Sequence, residues 1–284
     1  MSVGLRAACV SVAAAIAAIF GVSSETNADG AYSPPPPPVA LTPTTWTGAY
    51  VGANGGYGRQ DGSLVNLFTN DAVGTSLGDS TTASRGTIGD LDADGWFGGL
   101  QAGYNWQAGT LVFGVEADIQ GADLNGDRAG RFTNPNGTIA IDGTASLNID
   151  WFGIVRGRLG AAFGKTLIYA TGGFAYGEAE YRLDAIEVPP VGDFRTSLKA
   201  DARTGYVLGG GIEHIFGPNW TIKTEYQYID LGQAEASAPV VFIATGAPRV
   251  PSETATSDMD VDFHTVRIGI NYKFPPRPAV APLK

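Results

Sequence analysis

The chain has 284 residues, a formal net charge of −10, 44% hydrophobic residues and a mean hydropathy of +0.02. That balance excludes a bundle of apolar transmembrane helices and argues against nucleic acid as a partner. One cysteine and two histidines are too few for a Cys/His metal cluster, and 40 glycines without a collagen period point to turns and crowded sheets.

Residues 1–28 read as a signal peptide. Arg6 supplies a positive start, an apolar stretch runs from Ala7 to Val22, and small residues surround a cleavage point after Ala28. That stretch is too short to span a bilayer with its flanks. Cys9 lies inside it, so the mature chain is expected to have no disulfide. Residues 29–45 form a proline-rich linker. Its SPPPPPVALTPT segment, from Ser33 to Thr44, favours extended polyproline and cannot join a sheet ladder. The tail at 275–284, PPRPAVAPLK, has the same character. The folded domain is expected between them, at 46–274.

Eight runs in that domain alternate with period two, the mark of strands with unlike faces. WTGAYVGANGGYG at 46–58 puts Ala49, Val51, Ala53 and Tyr57 on one face. GWFGGLQAGYNW at 95–106 sets Trp96, Leu100, Ala102, Tyr104 and Trp106 against Gln101 and Asn105. TLVFGVEADIQ at 110–120 sets Leu111, Phe113, Val115, Ala117 and Ile119 against Glu116 and Asp118. At 146–163, Leu147, Ile149, Trp151, Val155, Leu159 and Phe163 oppose Asn148, Asp150, Arg156 and Arg158. At 166–182, Leu167, Tyr169, Ala175, Ala179 and Tyr181 oppose Glu178, Glu180 and Arg182.

The run at 203–216 sets Tyr206, Leu208, Ile212 and Phe216 against Arg203 and Glu213. At 219–231, Trp220, Ile222, Tyr226 and Tyr228 oppose Lys223, Glu225 and Gln227. The last, at 261–274, sets Val266, Ile268, Ile270, Tyr272 and Phe274 against Arg267, Asn271 and Lys273.

The connections alternate in length. Those around Ala108-Gly109, Gly164-Lys165 and Gly217-Pro218 are minimal. Those at Arg59–Ala93, Gly121–Ala145, Leu183–Ala202 and Gly232–Asp260 are long and rich in Gly, Asp, Asn, Ser and Thr. The spacing predicts an all-β fold: an eight-stranded antiparallel up-and-down transmembrane barrel with short periplasmic turns and long extracellular loops.

A soluble barrel with an apolar cavity would place the charged face outside. Two features favour the reverse. Aromatics gather toward the strand ends of the apolar face, where Trp96, Trp106, Trp151, Trp220, Tyr272 and Phe274 are expected to form interfacial girdles. Glycines thread the charged face, as a cramped interior requires. The interior is then expected to hold a charge network of Glu116, Asp118, Arg156, Arg158, Glu178, Arg203, Glu213, Lys223, Glu225 and Arg267. With Asp150, Glu180, Arg182 and Lys273 counted, seven acids would meet seven bases, a plug rather than a channel of one sign.

WTGAYVGANGGYG at 46–58, TGGFAYG at 171–177, KTEYQYIDLG at 223–232 and HTVRIGINYKF at 264–274 resemble the small outer-membrane β-barrel proteins of alphaproteobacteria, an opacity-protein-like, porin-family group. The resemblance implies an integral barrel in the cell outer membrane. It also implies surface-exposed loops, contacts with outer-membrane lipid and lipopolysaccharide, and assembly by the barrel-assembly machinery through a closing strand ending in an aromatic. The proline-rich tail after Phe274 departs from that pattern.

No catalytic or metal site and no cofactor are expected. His214 and His264 lack a partnered nucleophile and read as strand-end residues, although some relatives are described as haem-binding. Asp258, Asp260 and Asp262, with Asp92 and Asp94, have a possible role bridging divalent cations to lipopolysaccharide; the preferred reading is solvated strand ends. The expectation is a monomeric barrel with a structural and surface role and an unknown loop-bound partner. A narrow porin and a haem- or small-ligand-binding barrel are the alternatives.

Overall fold

A computed structural model describes residues 45–60, 62–70, 84–133, 140–188, 194–248 and 254–274. The expected signal peptide, most of the linker and the tail lie outside the described residues. The strands are β1 (Gly48–Arg59), β2 (Ser63–Asn70), β3 (Ser84–Leu91), β4 (Asp94–Ala108), β5 (Leu111–Thr133), β6 (Ala140–Phe163), β7 (Thr166–Val188), β8 (Phe194–Ile215), β9 (Trp220–Pro239), β10 (Val241–Phe242) and β11 (Thr254–Lys273).

Eight of them close a ring of antiparallel neighbours, β1-β4-β5-β6-β7-β8-β9-β11, and β11 returns to β1 through pairs from Tyr50↔Lys273 to Arg59↔His264. β2 carries on above β1 along the same partner, β11, and pairs with β3, which leads into β4. The described ends, Thr45 and Phe274, and the β4–β5, β6–β7 and β8–β9 turns lie at one rim. Gly109 and Gly164 stand there with φ of 63° and 62°, the left-handed conformation that two-residue hairpins need. A Cβ at either glycine would meet nothing within 4 Å, so only the backbone would be strained. Gly109→Ala is therefore expected to cost about 1–2 kcal/mol, read as a lower urea midpoint with an unchanged slope.

The other rim is taller than the sequence suggested. β5, β6 and β7 have 23, 24 and 23 residues, about twice the ~9–11 that cross a bilayer. The segments expected as long loops are largely strands that continue the wall. Their interior is apolar: Leu91, Phe97, Leu124, Ile141, Leu147, Leu183, Leu198, Leu231, Met259 and Phe263 are all buried in one cluster. Phe152 joins the walls, with ring centroids 5.4 Å from Phe97 and 5.5 Å from Phe263. Tyr181 and Ser257 share a 2.8 Å hydrogen bond across this tier. Polar residues on alternate positions face outward there.

Register shifts account for two further departures. β6 and β7 slip between Ile149 and Trp151, so Ile149 turns inward at 1% exposure, with Leu147, while Asp150 points out. β7 also carries its faces opposite to expectation. Leu167, Tyr169, Ala175, Ala179 and Tyr181 are inside, and Ile168, Phe174, Glu178 and Arg182 are outside. Alanine and glycine occupy both faces of that strand, so side-chain polarity did not fix which way it turns.

Candidate functional site: a neutral charge layer across the lumen

In the lower half of the ring, four acids and four bases from five strands meet in the lumen: Glu116, Asp118, Glu213 and Glu225 with Arg156, Arg158, Lys223 and Arg267. All are buried, and Arg267 has no exposed surface. Each comes from the inward parity of its strand, and glycines beside them leave room for the long side chains. A Cβ at Gly114 would lie 3.2 Å from Arg158 Cγ, and one at Gly269 3.1 Å from Lys223 Cε.

Glu116 is the hub. Its carboxylate accepts from Lys223 Nζ at 2.8 and 3.1 Å, from Tyr50 Oη at 2.6 Å and from Arg156, with Arg158 at 3.4 Å. Arg267 spans Glu225 at 2.7 Å and Asp118 at 3.1 Å. Arg156 Nη1 lies 2.9 Å from Glu225. Arg158 pairs with Glu213 and stacks 4.0 Å from the Tyr169 ring, whose hydroxyl donates to Glu225 at 2.5 Å. Asn271 Nδ2 donates to Glu213 at 3.0 Å, and Asn271 Oδ1 accepts from Gln101 Nε2 at 2.6 Å. Equal numbers of each sign let the layer neutralise itself, and charged hydrogen bonds offset much of the desolvation each ion suffers.

The layer is sealed below by the chain's own entry segment. Trp46 is fully buried against Val112, Ala162, Leu167, Tyr169 and Ile215. Its backbone N–H donates to Gln107 Oε1 at 2.7 Å, Gln107 N–H donates to Thr47 Oγ1 at 2.9 Å, and Lys273 Nζ sits 5.4 Å from the Trp46 ring. Nothing in the sequence pattern singled out Trp46, because it precedes the alternating positions of β1. Among the described side chains, one expected network residue, Glu178, is not in the layer. Glu178 faces outward on β7, where its carboxylate lies 3.4 Å from Trp151 Nε1. The Arg203 side chain lies outside the described residues. Of the others counted as interior, Asp150 and Arg182 point out, Glu180 is partly exposed on the outer wall, and Lys273 sits at the lower mouth.

The outward surface is banded. Leu100, Val115, Ile119, Val155, Leu159, Leu208, Ile212, Val266 and Ile268 project from the ring and are exposed, Ile268 by 57%. Aromatics border them on both sides. Trp96 and Trp151 stand with Tyr57, Tyr176, Tyr206 and Tyr228 at the upper edge; Trp106, Trp220, Tyr272 and Phe274 stand at the lower. Trp96 and Trp106 are 10 positions apart on β4. At ~3.3 Å per residue and a tilt of about 40°, that places the two belts about 25 Å apart, the height of a bilayer's apolar band.

Residues 14–274 match the family model of the outer membrane protein beta-barrel domain. The chain belongs to the outer membrane protein β-barrel family. The 31 kDa outer-membrane immunogenic protein of Brucella melitensis is 34% identical over 274 residues, covering 93% of this chain and 98% of that protein. The 22 kDa outer membrane protein of Rhizobium leguminosarum bv. viciae is 28% identical over 204 residues, covering 71% of this chain and 77% of that one. Among solved structures, the outer membrane protein OprG of Pseudomonas aeruginosa aligns at 15% identity and a TM-score of 0.44 over 81% of this chain and 97% of that one.

An apolar band bordered by two aromatic belts is the outer face that barrels of the outer membrane present to a bilayer. Outer-membrane barrels keep short turns at the periplasmic rim and elaborate the other one, and this barrel has one rim of tight turns and one tall tier. Charged pairs stud the outside of that tier. Arg131 holds the Asp142 carboxyl below the usual carboxylate range through paired hydrogen bonds, the longer 2.7 Å. Lys199 and Arg182 do the same to Glu180. His214 stands outward near the end of β8, its Nδ1 3.0 Å from Thr166 Oγ1; His264, expected at a strand end, instead stands in the middle of β11, because that strand continues into the tier, with its Nδ1 2.6 Å from Tyr226 Oη. Asp92, Asp94 and Asp260 are also exposed on the outer wall.

Proposed function

We propose that this protein is a closed, non-catalytic barrel that anchors a tall β tier at the cell surface. The observation that carries the reading is the neutral layer of Glu116, Asp118, Glu213, Glu225, Arg156, Arg158, Lys223 and Arg267, with Trp46 beneath it and an apolar core above it. An ion entering such a lumen would have to displace matched pairs and then cross a dry zone. Surface display is consistent with the name of the Brucella relative, an immunogenic outer-membrane protein.

The second reading, a narrow porin, draws on Asn54 Oδ1, Asn105 Oδ1 and Gln120 Oε1, buried polar atoms with no protein partner among the described residues. Planar-bilayer recording separates the two. The closed reading expects a baseline indistinguishable from protein-free membrane. Steady unitary steps that scale with salt would establish the porin instead.

A further inference from the structure

We propose that the outward tip of the tier carries a saccharide-binding pocket between β6, β7, β8 and β10. The pocket arises where two neighbouring strands part company. The β8–β9 ladder among the described residues runs from Ile215↔Thr221 up to Tyr206↔Asp230. Above it β8 stays on β7 as far as Ile186↔Arg195, and β9 stays on β11 as far as Thr254↔Pro239. Gly232, with φ of 84°, and the register shift opposite it at Asp260/Asp262 turn β9 away from β8. The chain then comes back at the tip. Val241 and Phe242 pair with Arg195 and Phe194, and Thr196 Oγ1 donates to the Pro239 carbonyl at 3.4 Å.

A cavity of about 710 Å³ sits under this return. Its polar wall is two parallel rows. Thr144, Asp184 and Ser197 lie directly opposite one another on β6, β7 and β8, so two hydroxyls flank one carboxylate over about 10 Å. The next row is Asp142, Ile186 and Arg195. Asp142 is already occupied by two guanidinium nitrogens of Arg131. Asp184 and Arg195 are in no such pair among the described residues.

The charges select the ligand. Asp184 disfavours an anion and Arg195 disfavours a cation, whereas a neutral polyol satisfies both. Its hydroxyls would donate to Asp184, accept from Arg195 and do either with Thr144 and Ser197. Ile186 and Val241 offer apolar surface to the C–H face of a sugar ring. Asp184 lies 8 positions beyond Tyr176 of the upper girdle on β7, about 20 Å above it, too far out to meet acyl chains. Two sources supply such chemistry: the saccharide of the cell's own lipopolysaccharide, and glycans of other cells or of the medium.

The test uses the full chain in a sugar-free detergent, applied to an array with one arm of lipopolysaccharide-derived oligosaccharides and one of animal and plant glycans. The best neutral sugar is then titrated by saturation-transfer NMR. At least one saccharide is expected to bind, and the arm it comes from names the source. Asp184→Asn and Arg195→Met should each weaken it at least about tenfold. Ser197→Trp, which fills the cavity from an exposed position, should abolish binding, and Glu235→Gln on the outside of β9 should not change it. The heat-dependent gel shift of each variant shows that the barrel has formed. Failure of every saccharide at millimolar concentration, or binding that survives Asp184→Asn and Ser197→Trp, overturns the proposal. It depends on the tier facing outward and not on a closed lumen, so sugar binding and bilayer silence fail separately.

Discussion

Glu116→Gln is expected to destabilise the assembled barrel by about 3–5 kcal/mol, the usual result of removing one partner from a buried charge group. Four cationic groups converge on this carboxylate, Lys223, Arg156, Arg158 and Arg267, within 3.5 Å or less. The amide keeps the shape, so packing is nearly unchanged. What is lost is the charge that compensates those cations where water cannot. The double variant Glu116→Gln with Lys223→Met restores the net charge of the layer and should recover part of the loss. Urea-dependent folding into vesicles measures both. A single variant that costs less than about 1 kcal/mol would mean that the layer is wetter than its burial implies.

Ile268→Arg is expected to cost about 2–4 kcal/mol, because a cation at the bilayer midplane of a barrel's outer face has no partner. Ile268 lies between Val266 and Ile270 on the outward side of β11, roughly midway between Tyr272 and His264. The contrast is Thr256→Arg on the same outward parity of the same strand, in the tier, which should change stability by no more than about 0.5 kcal/mol. A soluble barrel would show no such contrast, since Ile268 would then face water as Thr256 does. Equal costs at the two positions would remove the basis for the bilayer boundary drawn here.

Much of this was legible in the sequence. β5 declares its faces because Leu111, Val115 and Ile119 alternate strictly with Glu116 and Asp118. β8, β9 and β11 do the same across Glu213, Lys223, Glu225 and Arg267, and with Glu116 and Asp118 these residues build most of the charge layer. β7 withheld its orientation because small residues fill both parities, and its decisive side chains, Tyr169 inside and Tyr176 outside, are chemically alike. The slip at Asp150 left no trace in composition, since one inserted residue changes facing without changing polarity. The upper tier was read as loops because its outward positions carry the Asp, Ser and Thr of a turn, while its inward positions are often alanine: Ala145, Ala185, Ala200, Ala234, Ala236 and Ala255. β9 hid the change as well: its apolar positions keep one parity across Gly232, yet Trp220, Ile222 and Tyr226 are outside and Ala234 and Ala236 inside, because the register shift there swaps the faces.

The tier has a practical consequence for anyone seeking to recognise this protein on intact cells. Its accessible surface is woven from every second residue of neighbouring strands, as where Thr144, Asp184 and Ser197 stand side by side although 40 and 13 positions separate them in the chain. A short synthetic peptide cut from any one strand displays both sides at once, and half of what it shows is buried in the native wall. Antibodies or phage selected on such peptides should therefore label the denatured chain and miss the living cell, whereas those selected on the refolded barrel should do the reverse.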